Sequence, residues 1–257
     1  MMDKYLKRIG FRGAAKTDLP SLNALVLAQL THVPFENLAV WAKGACPSLE
    51  KDDLYEKIVI QNRGGYCFEL NTLFRYLLEY LGFFAYQAVS SLVNEDGSAH
   101  PAAHNVIICS LEKEKYLIDV GFGGPVPMGA MPLKEGTWEN FKLQLRDGIW
   151  YLDRWEEDHY RPSIRFRDVP ATLEELLPLN FYISQKPDSH FRHRLNVSMK
   201  RPDGTICRLL GDQLHIRTAD TVVDKTVTHA EISQILLEHF GIPYFDIPME
   251  KPLCAEF

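Results

Sequence analysis

Arg63-Gly64-Gly65-Tyr66-Cys67-Phe68-Glu69-Leu70-Asn71 is the stretch on which the reading of this chain turns. Gly64-Gly65 permits a turn that brings backbone close to a ligand. Beyond it, apolar residues fall at Leu70, Leu73, Phe74, Leu77, Leu78 and Leu81, a helical stripe that Gly82 is placed to stop. Cys67 is therefore expected at or next to a helix N-terminus, where free amides and the helix dipole favour a thiolate over a thiol. Most free cysteines are small buried apolar residues, so a nucleophilic reading of Cys67 needs a partner base.

Upstream, the chain also reads as helical. Asp18 precedes an apolar stretch from Leu19 to Leu30, with Pro20 near its start where a missing backbone donor does no harm. A second helical pattern, Asp53 to Gln61, is broken by Asn62-Arg63-Gly64-Gly65. After Gly82 the texture changes to strands. Val106 to Cys109 and Tyr116 to Val120 flank a charged turn, and Phe141 to Leu145 and Ile149 to Leu152 flank Asp147-Gly148, a strong hairpin signal. Hairpin-like units follow around Pro202-Asp203-Gly204 and Gly211-Asp212, and Thr228-His229-Ala230-Glu231 is a capping box opening a last helix. The order predicts an α+β chain with no internal repeat and with boundaries near residues 85 and 185.

The 257 residues are 46% hydrophobic, enough for a sizeable core, and no apolar run approaches the roughly 20 residues of a membrane span. The first residues, Met1-Met2-Asp3-Lys4-Tyr5, lack the apolar stretch of a signal peptide, so a cytoplasmic protein without a membrane partner is expected. In that setting the sequon Asn196-Val197-Ser198 carries no meaning. Five scattered cysteines do not read as a disulfide framework, and a formal charge of −6 argues against nucleic acid as a partner.

Hairpin geometry selects a base for Cys67. If the strands around Ile107 and Leu117 join through a turn within Ser110 to Lys113, His104 falls opposite Asp119, on the same face. An imidazole held by a carboxylate in one tautomer, with its other nitrogen free for a thiol proton, activates a cysteine for acyl chemistry. The competing reading leaves His104 in solvent and makes Asp119 the start of the turn at Gly121-Phe122-Gly123-Gly124-Pro125. Against it, Asp119 in an apolar strand would bury a charge without a partner. His100 with His104, and His190 with His193, have ligand-like spacing, but no zinc-site context accompanies them, and no metal is expected.

The nine-residue stretch resembles the active-site segment of the arylamine N-acetyltransferases, and the family's other marks occur in the same order. They are Tyr5-Leu6-Lys7-Arg8-Ile9-Gly10, Val33-Pro34-Phe35-Glu36-Asn37-Leu38, His104, and Ile118-Asp119-Val120-Gly121-Phe122-Gly123. The similarity continues through Asn180, Ser189-His190-Phe191 and the Leu195 to Gly211 region. It implies a Cys67-His104-Asp119 triad on a three-part fold like that of cysteine proteinases: a helical bundle (1–85) with Cys67, a β-barrel (86–185) with His104 and Asp119, and an α/β lid (186–257) with coenzyme A contacts. The implied activity moves an acetyl group from acetyl-CoA to an arylamine or arylhydrazine by a ping-pong mechanism through an acetyl-Cys67 thioester, as in xenobiotic metabolism.

The resemblance also implies that Arg8, Glu36 and Arg63 form a buried ion network bracing the site, and that Phe35, Phe122 and Phe191 line the acceptor pocket. Lys186, Arg192, Arg194, Lys200, Arg201 and Arg208 make a basic strip suited to the phosphates of coenzyme A. Two rivals stand beside this reading. A cysteine amidase or hydrolase would use the same triad with water as acceptor. A binding protein could keep the fold without catalysis.

Overall fold

The structure, a computed structural model, describes residues 2–243, 245, 247–248 and 251–254. Its first part is helical: α1 (Met2–Arg8), α2 (Leu19–His32), the two-residue strand β1 (Phe35–Glu36), α3 (Leu38–Lys43), α4 (Lys51–Tyr55) and α5 (Cys67–Tyr80). Asp18 caps α2 as expected, accepting the Ser21 amide at 2.9 Å. The helix expected over 53–61 begins earlier, at Lys51, and widens into a π-helical stretch over Glu56–Ile60 before Asn62 turns it at φ 52°. On α5 the stripe Leu70, Leu73, Phe74, Leu77 and Leu78 is almost wholly buried against Tyr5, Leu22, Leu25 and Ile58. Each such leucine contributes about 1.5–3 kcal/mol of transfer free energy, which fixes the helix that carries Cys67.

Eight strands follow: β2 (Phe84–Leu92), β3 (His104–Leu111), β4 (Glu114–Ile118), β5 (Met131–Pro132), β6 (Gly136–Trp138), β7 (Phe141–Arg146), β8 (Ile149–Glu156) and β9 (His159–Phe166). They form one antiparallel sheet in the order β5-β4-β3-β2-β9-β8-β7-β6, curled into an almost closed barrel. Its interior is filled by Ala88, Val106, Ile108, Leu143, Leu152 and Ile164. β3 is buried on both faces, since Ile107 and Cys109 pack instead into the helical core with α5. The Asp147-Gly148 hairpin forms as expected, with both residues at positive φ.

The β3–β4 hairpin corrects the expected register. Its turn is Glu112-Lys113, with Glu112 at φ 53°, and the strands pair from Leu111↔Glu114 to Ile107↔Ile118. Continued past Ile118, that register sets Asp119 opposite Val106, so His104 is its diagonal neighbour on the same face rather than its direct partner.

The chain ends with α6 (Leu173–Gln185), α7 (His190–His193), strands β10 (Asn196–Lys200), β11 (Ile206–Leu210), β12 (Gln213–Arg217) and β13 (Val222–Thr226), and α8 (His229–Phe240). A second antiparallel sheet runs β1-β10-β11-β12-β13, so the strand just before α3 is its edge. Leu38 and Trp41 of α3 and Ile232, Leu236 and Phe240 of α8 bury one face of it against Val197, Cys207, Leu209 and Leu214. Among the described residues no helix is long and apolar enough to cross a membrane.

Candidate active site

Cys67 is the first residue of α5 and is buried. Two glycines deliver it there. A Cβ on Gly64 would stand 2.0 Å from the Pro34 carbonyl oxygen, and one on Gly65 would stand 2.8 Å from Glu69 Cβ. The stretch therefore lies flat on its neighbours, with the Glu36 amide donating to the Gly65 carbonyl at 2.9 Å. Tyr66, just before the helix, donates its amide to Glu69 Oε2 at 3.2 Å, which satisfies one of the donors a helix start leaves open.

His104, at the start of β3, and Asp119, just beyond β4, are both buried, and His104 Nε2 lies 2.6 Å from Asp119 Oδ2. The other carboxylate oxygen accepts the Gly121 amide at 2.9 Å and Asn71 Nδ2 at 3.1 Å. Asn71 sits one helical turn beyond Cys67. It also receives the Val120 amide on its Oδ1 at 3.0 Å and donates to the Asn105 carbonyl at 2.8 Å. One side chain thus ties the nucleophile helix to the loop of Asp119 and to β3.

Burial opposes a charge on His104, but the Asp119 carboxylate outweighs it and, helped by the neighbouring Cys67, pushes the imidazole up to about 10. With Nε2 taken by Asp119, Nδ1 is the nitrogen left for the thiol. Cys67 Sγ also approaches the carbonyl of Ala103, the residue before His104, at 3.9 Å. Gly121 closes the site from the other side, since a Cβ there would stand 2.8 Å from Cys67 Cα.

Beneath the site lies a charge network larger than the sequence suggested. Arg63 donates to Glu36 Oε1 from Nη2 at 2.6 Å and from Nε at 3.1 Å, while Glu36 Oε2 accepts the Leu38 amide. Lys57 Nζ stands 2.7 Å from Glu69 Oε1 and 3.7 Å from Glu36 Oε1, a cation shared by two buried carboxylates. Burial raises both carboxyls. On Glu36, Lys57 and Arg63 more than offset it, whereas Glu69, with Lys57 as its cation and Glu36 as a like charge, stays raised. Arg8 makes no ion pair among the described residues. It donates instead to the carbonyls of Ile58, His32 and Arg63, tying α1 to the segment before Cys67. Sequence reasoning named Arg8, Glu36 and Arg63 but not Lys57, and took Glu69 and Asn71 only as letters of the motif.

The three phenylalanines gather around this centre. Phe122 meets the His104 ring edge-on at 5.5 Å between centroids, and Phe35 and Phe191 lie 6.0 Å apart. Phe191 also meets Tyr66 edge-on at 5.6 Å. Gly123 leaves room for Phe35, whose ring a Cβ would meet at 2.7 Å.

The other cysteines lie elsewhere. Burial pushes the Cys109 thiol up to about 12 and also raises that of Cys207, whereas Cys46 and Cys254 are exposed. Among the described residues no group of three or more His, Cys, Asp or Glu side chains is placed to hold a metal ion. His100 contacts Asn94 Oδ1 at 2.6 Å.

The sequence profile of a family described as N-acetyltransferase matches residues 18–245. The chain is 30% identical over 250 residues to the arylamine N-acetyltransferase of Escherichia coli K12, covering 94% of this chain and 89% of that protein. It is 31% identical over 254 residues to that of Mycolicibacterium smegmatis, covering 95% and 92%. Among solved structures, the arylamine N-acetyltransferase of Mycobacterium marinum superposes with a TM-score of 0.88 at 28% identity, covering 94% of this chain and 93% of that one. The same protein in complex with CoA gives 0.87 at 27% identity, covering 94% and 93%.

Proposed function

The chain belongs to the arylamine N-acetyltransferase family, and from that premise we propose that it transfers acetyl from acetyl-CoA in two steps through a thioester on Cys67. The observation that carries this reading is the buried His104, made a strong base by the Asp119 carboxylate on Nε2, which leaves Nδ1 for Cys67. In the first step His104 takes the Cys67 proton and the sulfur attacks the acetyl carbonyl. Backbone amides at the start of α5 hold the resulting oxyanion. The bond to the coenzyme A sulfur then breaks, and His104 returns the proton to that leaving thiolate.

In the second step the acceptor nitrogen attacks the acetyl-Cys67 carbonyl while His104 takes a proton from it. The carbon–sulfur bond to Cys67 breaks and the acetylated amine departs. Asp119 stabilises the charged ring that each proton uptake creates and fixes its tautomer. Phe35, Phe122 and Phe191 form the walls for the acceptor, and their flat apolar faces suit an arylamine or arylhydrazine. Arg8, Glu36 and Arg63 act as structural support beneath the nucleophile.

The division of labour follows residues 1–85 for the nucleophile, 86–185 for the base and its carboxylate, and 186–257 for coenzyme A; residues 1, 244, 246, 249–250 and 255–257 lie outside the described residues. Five unpaired cysteines suit a reducing compartment, the cytoplasm.

Intact mass after brief exposure to acetyl-CoA without acceptor tests the scheme. A gain of one acetyl group, lost on adding an arylamine and absent in Cys67→Ser, is the expected result. Acetylation that persists in Cys67→Ser sinks it, and release of free acetate without any amine product points to the amidase or hydrolase alternative.

A further inference from the structure

Strand β13 is the outer edge of the second sheet, and among the described residues no strand pairs with its far side. Two bonds at its ends fix which way its backbone points. The Val227 amide donates to the Asp212 carbonyl at 2.8 Å, and the Thr218 amide donates to the Thr221 carbonyl at 2.9 Å. Hydrogen-bonded and open pairs alternate along an antiparallel ladder. Val223 and Lys225 therefore bond inward to Ile216 and Leu214, and the N–H and C=O groups of Val222, Asp224 and Thr226 point outward. Neither a proline nor a bulge interrupts the strand.

Sheet edges are commonly guarded by charged side chains. Here both charges are already engaged, Asp224 with His215 at 2.7 Å and Lys225 with Glu231. The apolar residues are the ones left open: Val222 is 59% exposed and Val223 48%. Val223 ends a row that runs Met199, Cys207, Ile216 and Val223 across β10 to β13, on the face that α3 and α8 cover. Cys207 is fully buried and Ile216 partly so, which means that the apolar row of this core reaches the edge unfinished.

The edge is also complementary to itself in one register. Two identical edges related by a two-fold axis must bring outward groups against outward groups, so Val222, Asp224 and Thr226 have to meet residues of the same parity. An axis at Asp224 sets that carboxylate against its own copy, one at Lys225 does the same with the ammonium, and one at Val222 sets Asp220 against Asp224. Like charges directly opposite are destabilising. An axis at Val223 avoids all three clashes. It places Val223 against its own copy, Val222 against Asp224 and Thr221 against Lys225, with Val222 and Asp224 exchanging backbone bonds across the junction.

We infer that β13 is a self-association edge, on which a second copy of this chain pairs antiparallel about a two-fold axis at Val223 and joins the two second sheets into one. β1, which carries Phe35, is the opposite edge of each sheet, about 19 Å from β13 at about 4.8 Å per strand step, so the pairing leaves both active sites open. An edge of five residues is a small interface, and the dimer forms with a dissociation constant on the order of 10–100 µM.

Sedimentation equilibrium of the full chain from about 1 µM to about 1 mM tests it. The wild type passes from monomer to dimer across that range. Val223→Lys and Val223→Glu each set like charges at the axis and raise the dissociation constant at least about tenfold, and an equimolar mixture of the two regains the dimer because opposite charges now meet there. Val222→Pro removes an outward donor while leaving the bonds to β12 in place, and it too stays monomeric. Acetyl transfer per chain is unchanged in all three variants, which shows them folded. A wild type that is monomeric up to about 1 mM overturns the inference. So does a dimer that persists in both charged variants, or a mixture of them that remains monomeric.

Discussion

Asp119→Asn is the most informative single change, because it removes one charge and almost no volume. Asp119 Oδ1 accepts the Gly121 amide and Asn71 Nδ2, and an asparagine oxygen at that position keeps both contacts. Its amide nitrogen then faces His104 Nε2, which must become an acceptor, so the ring proton moves to Nδ1, the nitrogen meant to take the thiol proton. Holding His104 at about 10 instead of 6.5 corresponds to roughly 5 kcal/mol of preference for the charged ring. Without the carboxylate, only Cys67 opposes burial, and the ring loses most of its preference for the charge. The wrong tautomer should slow acetylation by on the order of 10³ to 10⁴, in line with such a change in a serine-protease triad.

Two measurements check it: single-turnover acetylation, and nitrogen NMR of the His104 ring against pH. A folded variant that keeps a cationic His104 at pH 8, or acetylates within about tenfold of wild type, refutes the reasoning. Stability carries the same signature. A histidine raised above its unfolded value contributes stability fully present below about pH 6.5 and lost as pH rises through about 10. Denaturant titrations of the wild type should show that decline, and Asp119→Asn should lack it.

Lys57→Met strands the buried Glu69, while Glu36 keeps Arg63, and should cost about 3 kcal/mol, near the low end for a broken buried pair because Lys57 is partly exposed. Glu69, already raised, can keep its proton at low pH, so urea titrations should show a larger loss at pH 8 than at pH 5; equal losses contradict the shared-cation account. Gly121→Ala sets a Cβ 2.8 Å from Cys67 Cα and 2.9 Å from its carbonyl oxygen, both backbone atoms. That should lower turnover by on the order of 10² through misplacement of the nucleophile, with CoA affinity little changed, and an unaffected rate would show the loop free to move. If acetyl rests on Cys67 between substrates, double-reciprocal plots at several fixed amine concentrations should be parallel, and intersecting lines would make Cys67 a bystander.

What the sequence disclosed tracks how local each signal is. The α5 stripe, the Asp18 cap and the Asp147-Gly148 turn are set by neighbours a few residues away, and all three stand in the structure. β13 is exposed at every position from Val222 to Thr226, so it has no alternation to detect. α6 was missed although Thr172 and Glu175 form a capping box, because Pro178 inside it argues against a helix by local rules and tertiary contacts must override them. The π-helical stretch over Glu56–Ile60 shifts the phase of the residues after α4. A reading at 3.6 residues per turn therefore had no reason to aim Lys57 at Glu69, twelve residues on.

The β3–β4 hairpin shows why the central pair was reachable even with its register misread. A turn at Glu112-Lys113, at the far end of the expected Ser110 to Lys113 window instead of its centre, moves every cross-strand partner by two residues. In a pleated strand a shift of two preserves the face, so His104 and Asp119 changed from direct to diagonal neighbours without parting. Their long polar ends close the remaining gap to 2.6 Å. A shift of one would have turned Asp119 to the other face, leaving a buried carboxylate without its histidine, an error that the cost of an unpaired charge forbids. The energetic demand that Asp119 find a partner, more than the count of turn residues, is what made the pair legible.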